Sequence, residues 1–507
     1  MVRSDKTPLF AVIDIGSGQV NLKIAQIPQN GHKLQLLEEV TKSLPIGRDT
    51  FSSGRISPEM LEQLCQTLSG FRQLMREYKV RRYRAVATSA FREAKNREYV
   101  LEQIKVQTNI NVEILGGSQE RYYTQMSVRH STPSFDKLRK EGVLVLNIGS
   151  GTLQMCGYGK NGLEFNQSYP LGSLRIRQLL SSVEENSLQF PRVLEEYVLT
   201  HIGDRLFPFN NLIVTGAIVD RLRTSGILSS KRKKSDFDQV YARLLSMPVH
   251  TLAERYHLET GRAQMVLPAM ILIHTVWTRL QKSDHLLCPQ SSMTEGILLE
   301  IAGTYLNEED ESFRDDIISG ARVMAMQYSQ DEKHVNDVME KAMLLFDKVA
   351  RNQGLTSRHR MLLQIAVLFH DSGKTINVAE HDVYSAMLVL SSDIVGLSAE
   401  EQKIVSLIVR YHEDDELDEA NPDYLALTHK NRMVVSKLIA ILKLSNAMDA
   451  SHKQKLTQMS VTIKEGKLRI RMTPRESYVL EKWMFDRFSA FFYDVFGLEP
   501  QLKITRE

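Results

Sequence analysis

Two stretches of this chain pair a glycine turn with a polar residue placed to meet an anion. Residues 12–18 read Val-Ile-Asp-Ile-Gly-Ser-Gly, and residues 145–151 read Val-Leu-Asn-Ile-Gly-Ser-Gly. Glycines leave backbone N–H groups uncovered by Cβ atoms, so such a turn can converge on phosphate oxygens. Two turns facing each other would clamp a phosphate chain, with Gly16, Ser17 and Gly18 on one jaw and Gly149, Ser150, Gly151 and Thr152 on the other. The jaws differ in charge, because Asp14 stands where the second copy has Asn147. Within Val86–Ala94, Thr88 brings a hydroxyl to a strand end and Arg92 a guanidinium to the first turn of a helix, both within reach of an anion. Glu120 follows the Gly116-Gly117-Ser118 turn at a strand's C-terminal end, where α/β folds gather functional groups.

The elements that must position these residues follow from the apolar pattern. Residues 9–27 read as a strand pair around the first turn, with Val20, Leu22 and Ile24 alternating after it. Residues 57–78 read as a helix with Ser57 as N-cap and Pro58 at its first position. Tyr83–Thr88 is a strand, Arg92–Lys105 a helix, Val112–Leu115 a strand, and Leu212–Thr215 a strand beyond the second turn. Such alternation implies α/β layers. The organisation expected is one lobe over residues 1–125, which a helix near 290–305 would rejoin, and a second lobe over 126–305 with a groove between them. After the acidic stretch Asn307–Glu311 the pattern becomes helical over residues 315–452. An α+β tail over 453–507 carries a hairpin at Glu465-Gly466 and an aromatic helix with Trp483, Phe488, Phe491 and Phe492, read as core. Lys231-Arg232-Lys233-Lys234 reads as a solvated loop.

Composition narrows the class without choosing within it. The 507 residues are 42% hydrophobic and 25% charged, which suits globular domains, and a net charge of +3 gives only a mild preference for anions. No apolar run reaches the roughly 18–20 residues that cross a bilayer, and the N-terminus runs into a strand without room for a signal peptide. Cys65, Cys156 and Cys288 are too dispersed for a disulfide framework or a paired-cysteine metal site, so a reducing cytoplasm is expected. Neither a nucleic-acid nor a membrane partner is indicated.

Taken in order, these motifs resemble the exopolyphosphatase/guanosine-pentaphosphate phosphohydrolase (Ppx/GppA) family, whose fold is the two-lobed actin-like (ribonuclease H-like) ATPase fold. The likeness extends through Pro45-Ile-Gly-Arg48, Pro170–Arg175, Arg262-Ala263 and Glu295-Gly296, and covers nearly the whole chain. It implies Mg²⁺-dependent release of terminal phosphate from inorganic polyphosphate, or of the 5′ γ-phosphate from guanosine pentaphosphate. It further implies Glu120 as the catalytic residue that positions water, Mg²⁺ at Asp14 and Glu120, and phosphate held by the two turns with Thr88 and Arg92. Relatives with this domain order are often dimers, so a homodimer is expected. The chain departs from the family's pattern at Asn147 and Gln154, where carboxylates are usual, and at Gln119, Asn21 and Thr215-Gly216-Ala217. Amides keep a carboxylate's shape but lose the charge that binds Mg²⁺. That favours, as the alternative, a catalytically weakened regulator that binds polyphosphate or guanosine penta/tetraphosphate.

The helical region resembles the HD superfamily, whose His…His-Asp…Asp pattern holds metal. His334, His370 and Asp371 match its ligand positions, while Asn446 replaces the final Asp, so a second divalent metal is expected on those three residues. His381 and His412 match further positions and read as structural or as polyanion contacts.

Overall fold

A computed structural model of the chain describes residues 8–26, 34–179, 190–204, 206–306, 311–328, 331–414 and 416–505. They divide into two compact units, Met1–Phe313 and Arg314–Glu507.

In the first unit the two-residue period of a strand sorts side chains between faces. Along β1 (Leu9–Ile15), Ala11, Ile13 and Ile15 share one core with Val20, Leu22 and Ile24 of β2 (Gln19–Gln26). Phe10 and Val12 enter a second core on the opposite face, and Asp14 continues their row. With β3 (Gln35–Ser43), β4 (Arg82–Ala87) and β5 (Val112–Ile114), these strands form a sheet ordered β3-β2-β1-β4-β5.

The second sheet holds β6 (Val143–Ile148), β7 (Leu153–Gly159), β8 (Gly162–Tyr169), β9 (Asn211–Thr215), β10 (Lys231–Lys233) and β11 (His285–Leu287), ordered β10-β11-β9-β6-β7-β8. Read from β8, its first five strands repeat the order of the first sheet, and β10 is added at the far edge. In each, the second strand runs antiparallel to the first and the fourth parallel to it. The duplication visible in two short motifs therefore spans both sheets. The lysine-rich run read as a loop is the edge strand β10, paired antiparallel to β11. Exposed Lys231 and Lys233 make this edge charged, which discourages pairing with another chain.

Local chemistry sets the surrounding helices. Ser57 Oγ accepts the Met60 N–H at 3.3 Å, Pro58 fills the first helical position, and Leu61, Leu64, Leu68 and Phe71 bury one face of Pro58–Glu77. The single helix expected over Arg92–Lys105 is two, Ser89–Glu93 and Arg97–Thr108. Asn96 between them accepts the Ile56 N–H at 3.0 Å and donates to the Ile56 carbonyl at 2.9 Å, which pins the break. Arg92 thus lies in the last turn of a short helix, not the first turn of a long one. The helix Met293–Leu306 returns to the first sheet, where Ile297, Leu298 and Ile301 pack with Phe10 and Val12. A Cβ at Gly296 would collide with the Tyr123 carbonyl, so glycine is what lets this helix close on Gly117–Ser131.

The second unit is helical through Glu332–Val349, Ser357–Phe369, His381–Ser391, Ala399–Arg410 and His429–Ala447. Of the acidic stretch, residues 307–310 lie outside the described residues, and Glu311 opens the helix Glu311–Ala325. The tail is a three-stranded sheet of β12 (Leu456–Lys464), β13 (Lys467–Pro474) and β14 (Glu499–Ile504). Glu465 and Gly466 turn the hairpin at φ 53° and 70°, the positive pair that a tight two-residue turn requires. Helix Val479–Phe496 buries Phe485, Phe488, Phe492 and Phe496, whereas Trp483, read as core, is 60% exposed. The buried face runs from Glu481 through Phe485, and Trp483, about 200° around the helix from either, falls on the other side.

Candidate functional site

The two duplicated hairpins bring their turns together at the floor of one groove in the first unit. Each turn closes with one bond, Gly16 N–H to the Gln19 carbonyl and Gly149 N–H to the Thr152 carbonyl, both 2.9 Å. A Cβ on Gly18 would stand 3.0 Å from Ser150 Oγ, and one on Gly151 would run into Ser89 Oγ and the Phe51 ring. The jaws meet with no room for a side chain between them. Arg175 fastens the junction: its Nε donates to the Gly151 carbonyl at 2.9 Å, it pairs with Glu93, and its guanidinium lies 4.1 Å from the Phe51 ring centroid.

Above the turns opens a cavity of about 540 Å³. Asp14, Ser17, Gly18, Thr88, Glu120 and Asn147 line it, as do Gly149, Ser150, Gly151 and Thr152. Glu120, in the first turn of Gly117–Ser131, is 8% exposed. Its Oε1 takes a 2.6 Å bond from Arg92 Nη1, which also donates to the Leu115 carbonyl. Its Oε2 lies 3.5 Å from Gln154 Nε2, and Gln154 Oε1 accepts from Asn147 Nδ2 at 2.9 Å. Arg92, expected on the phosphate, spends Nη1 on the glutamate and the chain behind it. The amides at 147 and 154 face each other across β6 and β7, as Asp14 and Asn21 do across β1 and β2.

Asp14 Oδ1 is buried without a hydrogen-bond partner. Burial and the nearby Glu120 charge push its carboxyl up to about 7, against the pull of Asn21 and Lys23. An orphaned carboxylate oxygen beside a second carboxylate suits a hard divalent cation, so Asp14 and Glu120 fit Mg²⁺.

The sequence reading missed several cavity residues. Lys23 sits two places beyond Asn21 on the same face of β2 and contacts Ser292 at 3.2 Å and Glu295 at 3.4 Å; its signal was the alternation itself. Gly216 caps the helix Ala217–Thr224, which sends Asp220, Arg221 and Arg223 toward the groove. Burial first, then Glu295 and Glu39, push Asp220 up to about 6 despite Arg223 and Lys23. Beyond the turns a second cavity of about 520 Å³ shares Gly18 and Ser150 with the groove and carries Arg48, Arg177, Arg221 and Arg262.

In the second unit His334, His370 and Asp371 come together, but not alone. His334 Nε2 lies 3.2 Å from His370 Nε2, and Asp371 lies 3.9 Å from His334, 3.7 Å from His370 and 3.6 Å from His381. Burial holds the His370 imidazole down to about 3 and that of His412 down to about 4. His381 and His412, read as structural, face the same cluster with Glu413.

Two repeated sheets facing across a carboxylate-bearing, phosphate-sized groove define a two-lobed fold of the kind that handles phosphoryl groups. The Ppx/GppA phosphatase family signature matches residues 24–305, and that of Ppx/GppA phosphatase domain III matches residues 318–485. The chain belongs to the Ppx/GppA phosphatase family. It is 28% identical over 175 residues to the bifunctional 3-dehydroquinate synthase/phosphatase of Fusobacterium nucleatum, covering 34% of this chain and 26% of that protein. It is also 28% identical over 167 residues to exopolyphosphatase 1 of Mycobacterium tuberculosis, covering 33% of this chain and 47% of that one. The chain thus spans about half the length of the mycobacterial relative and about a quarter of the fusobacterial one. The crystal structure of an exopolyphosphatase-like protein shares the fold over 59% of this chain and 99% of its own, at 19% identity and a TM-score of 0.51.

Proposed function

We propose that the groove of the first unit removes terminal phosphate from inorganic polyphosphate by Mg²⁺-dependent hydrolysis. The observation that carries this reading is Glu120, a nearly buried carboxylate fixed by Arg92 and Gln154 in the wall of the cavity above the paired turns. Phosphoryl transfer asks a protein mainly for positioning and charge neutralisation. The two Gly-Ser-Gly turns with Thr88 hold the terminal phosphate, and Glu120 orients the attacking water and takes its proton. Asp14 and Glu120 would hold Mg²⁺, which would supply neutralisation of the phosphate oxygens' charge. The second cavity, with Arg48, Arg177, Arg221 and Arg262, accepts the rest of the polyanion. Guanosine pentaphosphate offers the same terminal phosphate and is the competing substrate. The same reading places the chain in the cytoplasm as a homodimer.

The experiment is phosphate release from both substrates with and without Mg²⁺, wild type beside Glu120→Gln. Turnover that needs Mg²⁺ and falls at least about a hundredfold in Glu120→Gln supports the reading. Wild type without turnover on either substrate under any divalent metal overturns it.

A second reading is favoured by one specific bond. Asn147 and Gln154 satisfy each other at 2.9 Å where two charges could have faced a cation, which suits a regulator that binds polyphosphate or guanosine penta/tetraphosphate and turns it over slowly or not at all. Saturable binding without phosphate release identifies it, and turnover at ordinary enzyme rates excludes it.

A further inference from the structure

The basic run at 231–234 takes no part in the groove, yet it is more than a charged edge. Along β10, Arg232 is half-buried between exposed Lys231 and Lys233, and its Nε is buried without a hydrogen-bond partner. The helix that follows, Lys234–Leu245, buries Phe237, Tyr241 and Leu244. Asp236, Gln239, Val240 and Arg243 recur at helical spacing on another of its faces. Strand and helix meet around a cavity of about 480 Å³, lined by Lys231, Arg232 and Arg243 with Asp236, Gln239 and Tyr256. Its volume lies within the range of small-molecule sites.

Charge says what would enter. The lining sets three cations against one carboxylate, Asp236, whose Oδ1 accepts from Ser235 Oγ at 3.4 Å. Among the described residues, no carboxylate lies within ion-pair distance of Lys231, Arg232 or Arg243. Like charges around one cavity repel, and a buried guanidinium N–H without an acceptor is costly, so the lining lacks an anion. The cavity is also apart from the groove, with no lining residue in common. Helix Ala217–Thr224 gives Asp220, Arg223 and Thr224 to the groove, whereas Gly226, Ile227 and Ser229 of the loop after it line the cavity. Two bonds hold that loop, Leu228 N–H to the Leu222 carbonyl at 2.9 Å and Cys288 N–H to the Ser230 carbonyl at 2.8 Å. Buried Cys288 stands between the sites, its thiol feeling Asp220 and Arg223 from one and Arg232 from the other.

We propose that this cavity is a second ligand site, taking a small organic diphosphate whose phosphates meet Lys231, Arg232 and Arg243. Arginine and lysine donors are the groups that bind phosphate oxygens, and the buried Arg232 Nε supplies an N–H with no other acceptor. The rest of the lining asks for more than phosphate. Ile227 and Val240 are apolar, and Tyr256 packs on the second lobe's core beside them. Asp236 offers an acceptor to a hydroxyl or N–H, which a nucleoside has and inorganic pyrophosphate lacks. A nucleoside diphosphate meets all of these demands. The inference goes beyond the groove reading and does not depend on it.

The test reads the cavity itself and needs no turnover. The full chain in a chelator is treated with an amine-acylating reagent, and Lys231 acylation is measured by peptide mass spectrometry. Lys233, which does not line the cavity, is the internal reference. Additions are ADP, inorganic pyrophosphate, or potassium chloride at equal ionic strength. ADP should protect Lys231 saturably with a midpoint below about 1 mM, pyrophosphate more weakly, and chloride not at all. Arg232→Gln and Arg243→Gln should each raise the ADP midpoint at least about tenfold, the loss of one charged hydrogen bond. Arg243 is exposed on its helix, so its variant should melt as wild type does. Asp236→Asn should weaken ADP and spare pyrophosphate. Lys231 left unprotected by both diphosphates, or protected equally by chloride, overturns the proposal, as does protection unchanged in Arg243→Gln. Equal midpoints for ADP and pyrophosphate overturn the organic ligand.

Discussion

At the scale of single residues, Asp14 couples the groove to pH. Its carboxyl titrates at about 7 in the folded chain, against an ordinary value of 3.8, because burial and Glu120 oppose its charge. Between those values the folded state binds more protons than the unfolded one, so this group's stabilisation is complete below about 4 and lost as pH rises through about 7. In a chelator, the melting temperature of the wild-type first unit should therefore drop from pH 5 to pH 8 by more than that of Asp14→Asn. Mg²⁺ should recover more of the wild type at pH 8 than at pH 5. Identical pH profiles for the two proteins would remove Asp14 as the titrating group. The turns and Glu120 were legible because glycine spacing and strand ends are local signals. Lys23 and Asp220 were not, since their place depends on a strand's pleat and on a helix launched from Gly216. Arg92 was misplaced for a related reason: Asn96 ends its helix through a bond to a loop some forty residues away in sequence.

At the scale of elements, the β6–β7 hairpin makes the clearest experiment. Asn147 and Gln154 bond one another, and Gln154 reaches Glu120. Replacing both with Asp and Glu puts two like charges on directly opposed strand positions, which destabilises the metal-free hairpin by about 0.2–1 kcal/mol. The same charges are oxygen ligands for a cation. Asn147→Asp with Gln154→Glu should therefore melt lower than wild type in a chelator and bind Mg²⁺ more tightly. If the pair leaves Mg²⁺ affinity unchanged, the amides are not what weakens the site. The helices of the second unit carry a separate pH dependence. His370 and His412 are neutral when folded, with imidazoles held near 3 and 4 by burial. The unfolded chain takes up their protons first, so their contribution is present above about 6.5 and lost as pH falls toward 4. Without metal, the second unit should unfold in that window, and His412→Gln should narrow the loss; circular dichroism against pH measures it. The resemblance to the HD pattern picked out His334, His370 and Asp371, but could not show that helix ends at His381 and His412 point to the same carboxylate.

At the scale of the whole molecule, the duplication was written in two seven-residue copies, and the sheets repeat it over five strands each. The tail's aromatic helix was legible as an element and Phe488 and Phe492 are buried as expected, but Trp483 lies outside the buried row of Glu481, Phe485, Phe488 and Phe492. The first unit is closed by its last helix. Phe10 and Val12 pack on Ile297 and Leu298, and Lys23 bonds Glu295 across 272 positions of sequence. A chain ending at residue 290 should lose this core and aggregate, while one ending at residue 313 should stay monodisperse; light scattering of the two decides it. The same closure orders events during synthesis. The first jaw is made before the second, yet one face of its sheet waits for a helix made nearly three hundred residues later. Both turns are translated by residue 152, but the wall behind Asp14 is absent until Met293–Leu306 emerges. The nascent chain thus carries both glycine turns through about 150 further residues of synthesis before it can assemble the groove they floor.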